Sequence, residues 1–287
     1  MICTLCPRRC SAQRDAESGS GFCRMPETMH VALISLHMWE EPPISGVNGS
    51  GAVFFSGCPL GCAYCQNREI SRSAVGKEYT PDQLARKFRV LEEQGAHNIN
   101  LVTGTHFIPQ IIETFRIYRP KVPVVWNSGG YETVEAVDAL APYVDIWLPD
   151  YKYGLTEVAA KYSRAPDYPE TALNAIMRMR YFQPENIMEG GLLKKGMIIR
   201  HLILPANLRN SAAALRRIAA KAANTPVSLM SQYTPVDGIE NEFPELGRTL
   251  TEREYDRILE LAGQLGIDGF TQELSAADSG YVPAWDI

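Results

Sequence analysis

The chain is predicted to fold as an α/β protein, an open, partial (β/α)6 barrel preceded by a small cysteine-rich segment. Three observations carry this prediction. Beyond Cys65 the sequence alternates between helix-like and strand-like stretches. Those stretches make about six β/α units rather than eight. All seven cysteines fall at positions 3, 6, 10, 23, 58, 62 and 65. Alternating units imply a parallel sheet, and six of them leave a barrel open. The chain divides accordingly into a metal-binding segment over 1–29 and a barrel over 30–287.

The elements follow in order. Residues 30–38 read as a hairpin or edge strand before the barrel. Ala52-Val53-Phe54-Phe55 reads as a buried strand. Thr80-Pro81-Asp82 opens a helix that stops near Gly95: threonine caps and proline suits the first position. A strand over 98–103 and a helix over 108–118 come next. A strand over 122–126 ends in the turn Asn127-Ser128-Gly129-Gly130. A helix over 133–140 leads to a strand over 144–148. Helices are expected over 157–163 and 170–182, then a strand over 196–205. The remaining units are a helix over 212–223, a strand over 227–230, a helix over 251–265 and a short final strand over 269–274.

Composition narrows the function. The net charge of −5 and pI near 5.6 argue against a nucleic-acid surface. No apolar run reaches the roughly 18 residues of a membrane span. Met1-Ile2-Cys3-Thr4-Leu5-Cys6 lacks the basic and apolar regions of a signal peptide. Clustered cysteines suit metal binding in a reducing cytoplasm better than disulfides spread through a secreted fold.

Cys58, Cys62 and Cys65 are spaced C-x3-C-x2-C at the end of the predicted strand 52–55. Strand ends are where a parallel barrel carries its chemistry. Three thiolates on one loop suit three corners of a four-iron, four-sulfur (4Fe-4S) cluster and leave the fourth iron open to a ligand. A zinc knuckle would use C-x2-C and want a fourth ligand close by. Cys3, Cys6, Cys10 and Cys23 make a second set, C-x2-C-x3-C-x12-C, with Arg8, Arg9, Gly19 and Gly21 between them. Four cysteines complete a ligand set for zinc or for a second, fully ligated 4Fe-4S cluster. Spacing leaves both metals open. So short a segment has little core of its own, and a metal would help fold it.

The run Cys58-x3-Cys62-Ala63-Tyr64-Cys65-Gln66-Asn67 resembles the radical S-adenosylmethionine (SAM) superfamily, and within it the pyruvate formate-lyase activating enzyme group and its relatives. Weaker similarity extends along most of the chain from about Gly51. The resemblance implies a TIM-like partial barrel. It also implies SAM bound to the open iron through its amine and carboxylate, and reductive cleavage to a 5′-deoxyadenosyl radical that abstracts hydrogen. A reductant such as flavodoxin or ferredoxin is implied, and a protein or peptide substrate. The reading is of a glycyl-radical-activating enzyme. Radical SAM modification of another peptide or a small molecule is the alternative. A non-catalytic iron–sulfur electron carrier or metal-stabilised binding protein is the reading from another class.

The resemblance also assigns cofactor residues, with Tyr64 as the motif's aromatic. Where the activating enzymes carry Gly-Gly-Glu, this chain has Thr103-Gly104-Thr105-His106. The glutamate is absent, and Thr103, Gly104 and Thr105 are the expected replacements, with Glu40 or Glu41 a further candidate for its duty. Asn127 and Ser128 end the next strand as a polar pair suited to ribose or carboxylate. Asp150 and Lys152, two apart, point the same way in extended chain and suit a zwitterion. Arg200, inside an apolar strand, needs an anion: SAM's carboxylate or a structural carboxylate. At the sixth strand the chain reads Met230-Ser231-Gln232-Tyr233, where a family histidine has no counterpart.

Overall fold

The computed structural model describes residues 2–274 and Trp285. Four parallel strands, β1 (Ser50–Phe55), β2 (Ile99–Val102), β3 (Val124–Ser128) and β4 (Ile146–Pro149), are neighbours in that order. β5 (Ile199–Leu202), β6 (Val227–Met230) and β7 (Gly269–Thr271) form a second parallel sheet, joined to the first by a bridge between Asp150 and Arg200. The connecting helices are α1 (Pro81–Glu93), α2 (Ile108–Ile117), α3 (Val134–Leu140), α4 (Thr156–Ser163), α5 (Tyr168–Phe182), α6 (Leu208–Lys221) and α7 (Glu252–Gln264). The order β1 to β7 with a helical crossover at each step is an open (β/α)6 partial barrel followed by a last strand, β7, that pairs with β6.

Local chemistry explains the elements. Every residue of β1 is buried, as in a strand covered on both faces. Thr80 and Gln83 form a capping box at α1, and Thr251 and Glu254 form one at α7. Thr133 caps α3 by accepting from the Ala136 N–H. The strand Met29–His37 pairs antiparallel with β1, and Lys77–Tyr79 pairs antiparallel along its other side, so that the sheet's edge is Lys77–Tyr79 and not the strand expected there. Below the strands the short helix Pro42–Ser45 pushes Ile44 into a buried cluster with Val125, Ile146, Leu148, Leu193 and Ile198.

Two features differ from the sequence reading. The single strand expected over 196–205 is two. Leu192–Met197 pairs with β4 and, antiparallel, with Ile187–Glu189. At Ile198 the chain changes partner: its N–H donates to Trp147, whereas that of Ile199 donates to Pro226. The hairpin through Gly190 and Gly191 was not expected, because its strands expose Ile187, Met188 and Glu189 and carry Lys194 and Lys195. The amino-terminal segment, a two-residue hairpin of Ile2–Cys3 with Ala12–Gln13, also shares the main core. Cys23 and Met25 pack in one cluster with Val53 and Phe55.

Candidate active site

At the carboxyl end of β1 the loop 56–67 turns back over the barrel. Gly57 and Gly61 allow this, with φ of +77° and +60°. Side chains there would also collide: a Cβ on Gly57 would stand 2.3 Å from Met25 Cγ. Cys58, Cys62 and Cys65 all line one cavity of about 310 Å³. The Ser163 hydroxyl donates to Cys62 Sγ at 3.1 Å, and the Leu60 N–H lies 3.4 Å from Cys58 Sγ. Burial pushes the Cys58 thiol up to about 12, with Cys62 adding to it. Burial and Cys62 likewise raise Cys65, while Lys152 opposes them. Metal-free, these groups hold protons that an iron would displace.

Tyr64 is buried beside the thiols, with its ring edge-on to Tyr153, Tyr162 and Tyr233 at centroid distances of 6.0 to 6.4 Å. From the far side of the cavity β4 and β5 supply a charged network. Lys152 Nζ is 2.5 Å from Asp150 Oδ2, and Arg200 Nε donates to Asp150 Oδ1 at 2.8 Å. Arg200 also reaches Glu40 at 3.0 Å and donates to Asn127 Oδ1. Glu40 Oε1 accepts in turn from Asn100 at 3.0 Å and Asn127 at 2.9 Å. Burial alone would raise the Asp150 carboxyl, but Arg200 and Lys152 outweigh it and hold it below the usual carboxylate range. Burial raises Glu40, and Arg200 only partly offsets this. Tyr168 pins the strand ends together: its hydroxyl donates toward Gly129 O at 2.8 Å and Asp150 O at 2.9 Å.

The structure gathers Tyr64, Thr103, Asn127, Ser128, Asp150, Lys152 and Arg200 around the cavity. It places two expected residues elsewhere. Gly104 faces the core, where a Cβ would stand 2.8 Å from Ile111 and 3.0 Å from Trp126. The Thr105 hydroxyl donates to Glu132 at 2.8 Å beneath the strand ends. Thr103 is the reason: its φ of +60° turns the chain sharply, so the residues after it point inward. His106 is buried as well, with Nε2 against Ser56 O at 2.7 Å. Arg200 does meet carboxylates, but those of Asp150 and Glu40, the structural alternative. Glu41, also on the cavity wall, keeps Oε2 without a hydrogen-bond partner.

Sequence reasoning missed Glu132 and Tyr168. Glu132 is 1% exposed and is pushed up to about 7 by burial, against hydrogen bonds from Thr105, Ser128 and Trp126. Its one sequence signal was an acid next to a predicted turn.

The four remaining cysteines lie behind the loop. Cys3, Cys6 and Cys23 are buried and Cys10 is exposed. Burial lifts Cys6 to about 12, and charge on Cys23, Cys3 and Cys10 would lift it further, so the four thiols sit within reach of one another's fields. Among the described residues no three His, Cys, Asp or Glu side chains are grouped as ligands of a single ion. A lone ion at either thiol set would have to draw the sulfurs together. The donor chemistry of Cys58, Cys62 and Cys65, all on one cavity with room beside them, fits a cluster.

A sequence model of the radical SAM superfamily matches residues 52–183, from β1 through α5. An uncharacterized protein of Methanocaldococcus jannaschii is 31% identical over 278 residues, covering 93% of this chain and 75% of that one. The chain belongs to the radical SAM superfamily. Among solved structures, a radical SAM methyltransferase from Sphaerobacter thermophilus is similar at TM-score 0.56 and 14% identity, over 81% of this chain and 70% of that one. This likeness is one of fold. A domain of a pyruvate-formate lyase-activating enzyme from Bacteroides vulgatus overlaps 67% of this chain and 91% of that one, with 14% identity and a TM-score of 0.36, too low to argue from. Membership brings a 4Fe-4S cluster and SAM as cofactors and makes the chain an enzyme of radical chemistry. No helix among the described residues is long and apolar enough to cross a membrane.

Proposed function

We propose that Cys58, Cys62 and Cys65 hold the 4Fe-4S cluster and that the chain abstracts hydrogen from a peptide backbone, activating a glycyl radical enzyme. One observation carries the site: three thiols and a buried charge network wall the same cavity. When bound, cluster and SAM supply the electron and the cleavable sulfonium from which a hydrogen-abstracting radical arises. The chain's own residues do the rest. Lys152, held by Asp150 beside Cys62 and Cys65, offers a cation to the carboxylate of a zwitterion. Asp150 keeps its charge and orients Lys152. Asn127 and Ser128 offer polar groups to a ribose, and Phe54, Leu202, Met230 and Phe270 give the cavity apolar wall.

The rear cysteines are read as a second metal centre, zinc or iron–sulfur. The electron donor is a flavodoxin or ferredoxin, and the site of action the cytoplasm. A second reading, modification of another peptide or a small molecule, draws support from Thr103 and Gly104 standing where the activating enzymes carry Gly-Gly-Glu. Reconstituted, reduced protein given SAM is expected to release 5′-deoxyadenosine. Adding a glycyl radical enzyme is expected to give a glycyl radical signal on it. No 5′-deoxyadenosine would refute the site. 5′-Deoxyadenosine without a glycyl radical would favour the second reading.

A further inference from the structure

The amino-terminal segment is pressed against the back of the loop that carries Cys58, Cys62 and Cys65. The Arg8 guanidinium, between Cys6 and Cys10, donates to Pro59 O at 2.8 Å and Leu60 O at 3.0 Å. It also donates to Ser163 O at 2.6 Å and to Arg164 O, and stacks on Phe22 at 3.9 Å. A Cβ on Gly57 would stand 3.0 Å from Cys23 O, and one on Gly61 would stand 2.9 Å from the Phe22 ring. Cys23 therefore touches the residue before Cys58, and Phe22 the residue before Cys62. The backbone of Cys23 and the ring of Phe22 thus border the loop that carries the front thiols.

The rear set is built as a site. Its turns are closed by hydrogen bonds from Arg9 N to Cys6 O and from Arg24 N to Gly21 O. Cys10 and Cys23 turn their sulfurs to the same point: a Cβ on Gly21 would lie 3.3 Å from one and 3.9 Å from the other. Arg9, Ser11 and Arg24, beside those cysteines, hold φ of +39°, +49° and +59°, a conformation that costs a non-glycine residue energy and calls for something that fixes it. Cys10 is exposed, and exposed Arg9, Arg24 and Arg164 flank the segment on a chain of net charge −5.

We infer that Cys3, Cys6, Cys10 and Cys23 hold a second 4Fe-4S centre that passes electrons to the first through the Cys23–Gly57 contact. This rests on the radical SAM reading of the front set and deepens it. Four thiolates each ligating a separate iron need less convergence than four on one zinc ion. An acidic one-electron reductant, an iron–sulfur or flavin protein, docks on the arginine rim beside Cys10. It loses one electron and the rear centre gains it. The rear centre is reoxidised as the front cluster gains that electron, and no bond or proton changes at the contact.

The test uses the full chain reconstituted with iron and sulfide without oxygen. Wild type is expected to hold roughly eight irons, as two four-iron centres require. The Cys58→Ser/Cys62→Ser/Cys65→Ser variant is expected to keep about four, with a redox-active signal from the rear set alone. That measurement needs no SAM cleavage, so it stands or falls apart from the front-site reading. Cys6→Ser/Cys23→Ser is expected to slow reduction of the front cluster by a reduced ferredoxin at least tenfold, with its reduction by dithionite little changed. Zinc or no metal at the rear set of the triple variant would overturn the proposal. So would wild-type reduction by ferredoxin in the double variant. If the double variant does not fold, the triple variant's iron content and signal decide.

Discussion

Toward the cavity, the loop of Cys58, Cys62 and Cys65 faces Lys152, Asp150 and Arg200. Behind, it rests on Arg8, Phe22 and Met25. The front is a network of buried charges around open space. The back is a tight contact in which one cation spends its hydrogen bonds on backbone carbonyls. The difference separates two duties. Paired charges beside a cavity remain available to a polar ligand, whereas a guanidinium saturated by carbonyls can only hold the loop in place.

The largest test removes what the two faces share. Replacing Cys58, Cys62 and Cys65 together by alanine is expected to abolish SAM cleavage and leave most of the barrel folded, as circular dichroism and 5′-deoxyadenosine assays would report. Cleavage by that variant would mean that front and back have been assigned to the wrong loop.

On the front, Asp150→Ala leaves Lys152 and Arg200 without their shared partner. Breaking a buried pair costs about 3–5 kcal/mol. Denaturant unfolding is expected to show that loss. SAM affinity of cluster-loaded protein is expected to fall at least roughly thirtyfold, about 2 kcal/mol, with cluster content unchanged. Equal affinities in wild type and variant would make Asp150 a structural residue alone.

On the back, Arg8→Ala orphans carbonyls of Pro59, Leu60, Ser163 and Arg164. We expect about 1–3 kcal/mol of lost stability and faster loss of iron from the front cluster, with SAM affinity of the intact holoprotein nearly unchanged. Arg8→Lys should restore only part, because an ammonium lacks the fork that spans several acceptors. If SAM affinity dropped as far as in Asp150→Ala, the two faces would not be separable.

The smallest test lies under the strand ends. Glu132 is held near 7 in the fold, above its ordinary 4.5. A raised carboxyl favours folding fully below about 4.5, and that contribution is lost as pH rises through about 7. Wild-type stability is therefore expected to fall across that window, by at most about 3 kcal/mol, and Glu132→Gln to flatten the fall. Identical pH profiles in denaturant titrations would show that Glu132 ionises freely.

Much of this was legible in the sequence, for local reasons. Thr80 and Gln83, or Thr251 and Glu254, announce helix starts three residues apart. Apolar runs mark β1 through β4, and the C-x3-C-x2-C spacing marks the loop. Asp150 and Lys152 sit two apart in extended chain and do meet in the cavity. What was illegible depended on long-range geometry or on one dihedral angle. Glu40 finds Arg200 across 160 positions, and no window along the chain contains both. The sequence pattern points Thr105 at SAM, but the left-handed turn at Thr103 sends it under the sheet to Glu132. The strand expected over 196–205 divides at Ile198, a break the pattern does not show because hydropathy reports burial and not which neighbour takes the hydrogen bonds on either side.

The reach of Arg8 to Ser163 and Arg164 has a consequence for the order of events in synthesis. Residue 8 leaves the ribosome long before residues 163 and 164, more than 150 positions later. Until α4 has emerged, Arg8 lacks two of the four carbonyls it holds in the finished fold, and the four rear thiols lack part of the wall behind them. For that interval they stand open to oxidants and stray metals on a nascent chain. The segment that is made first is seated late, and the newborn protein is most vulnerable where its finished fold is tightest.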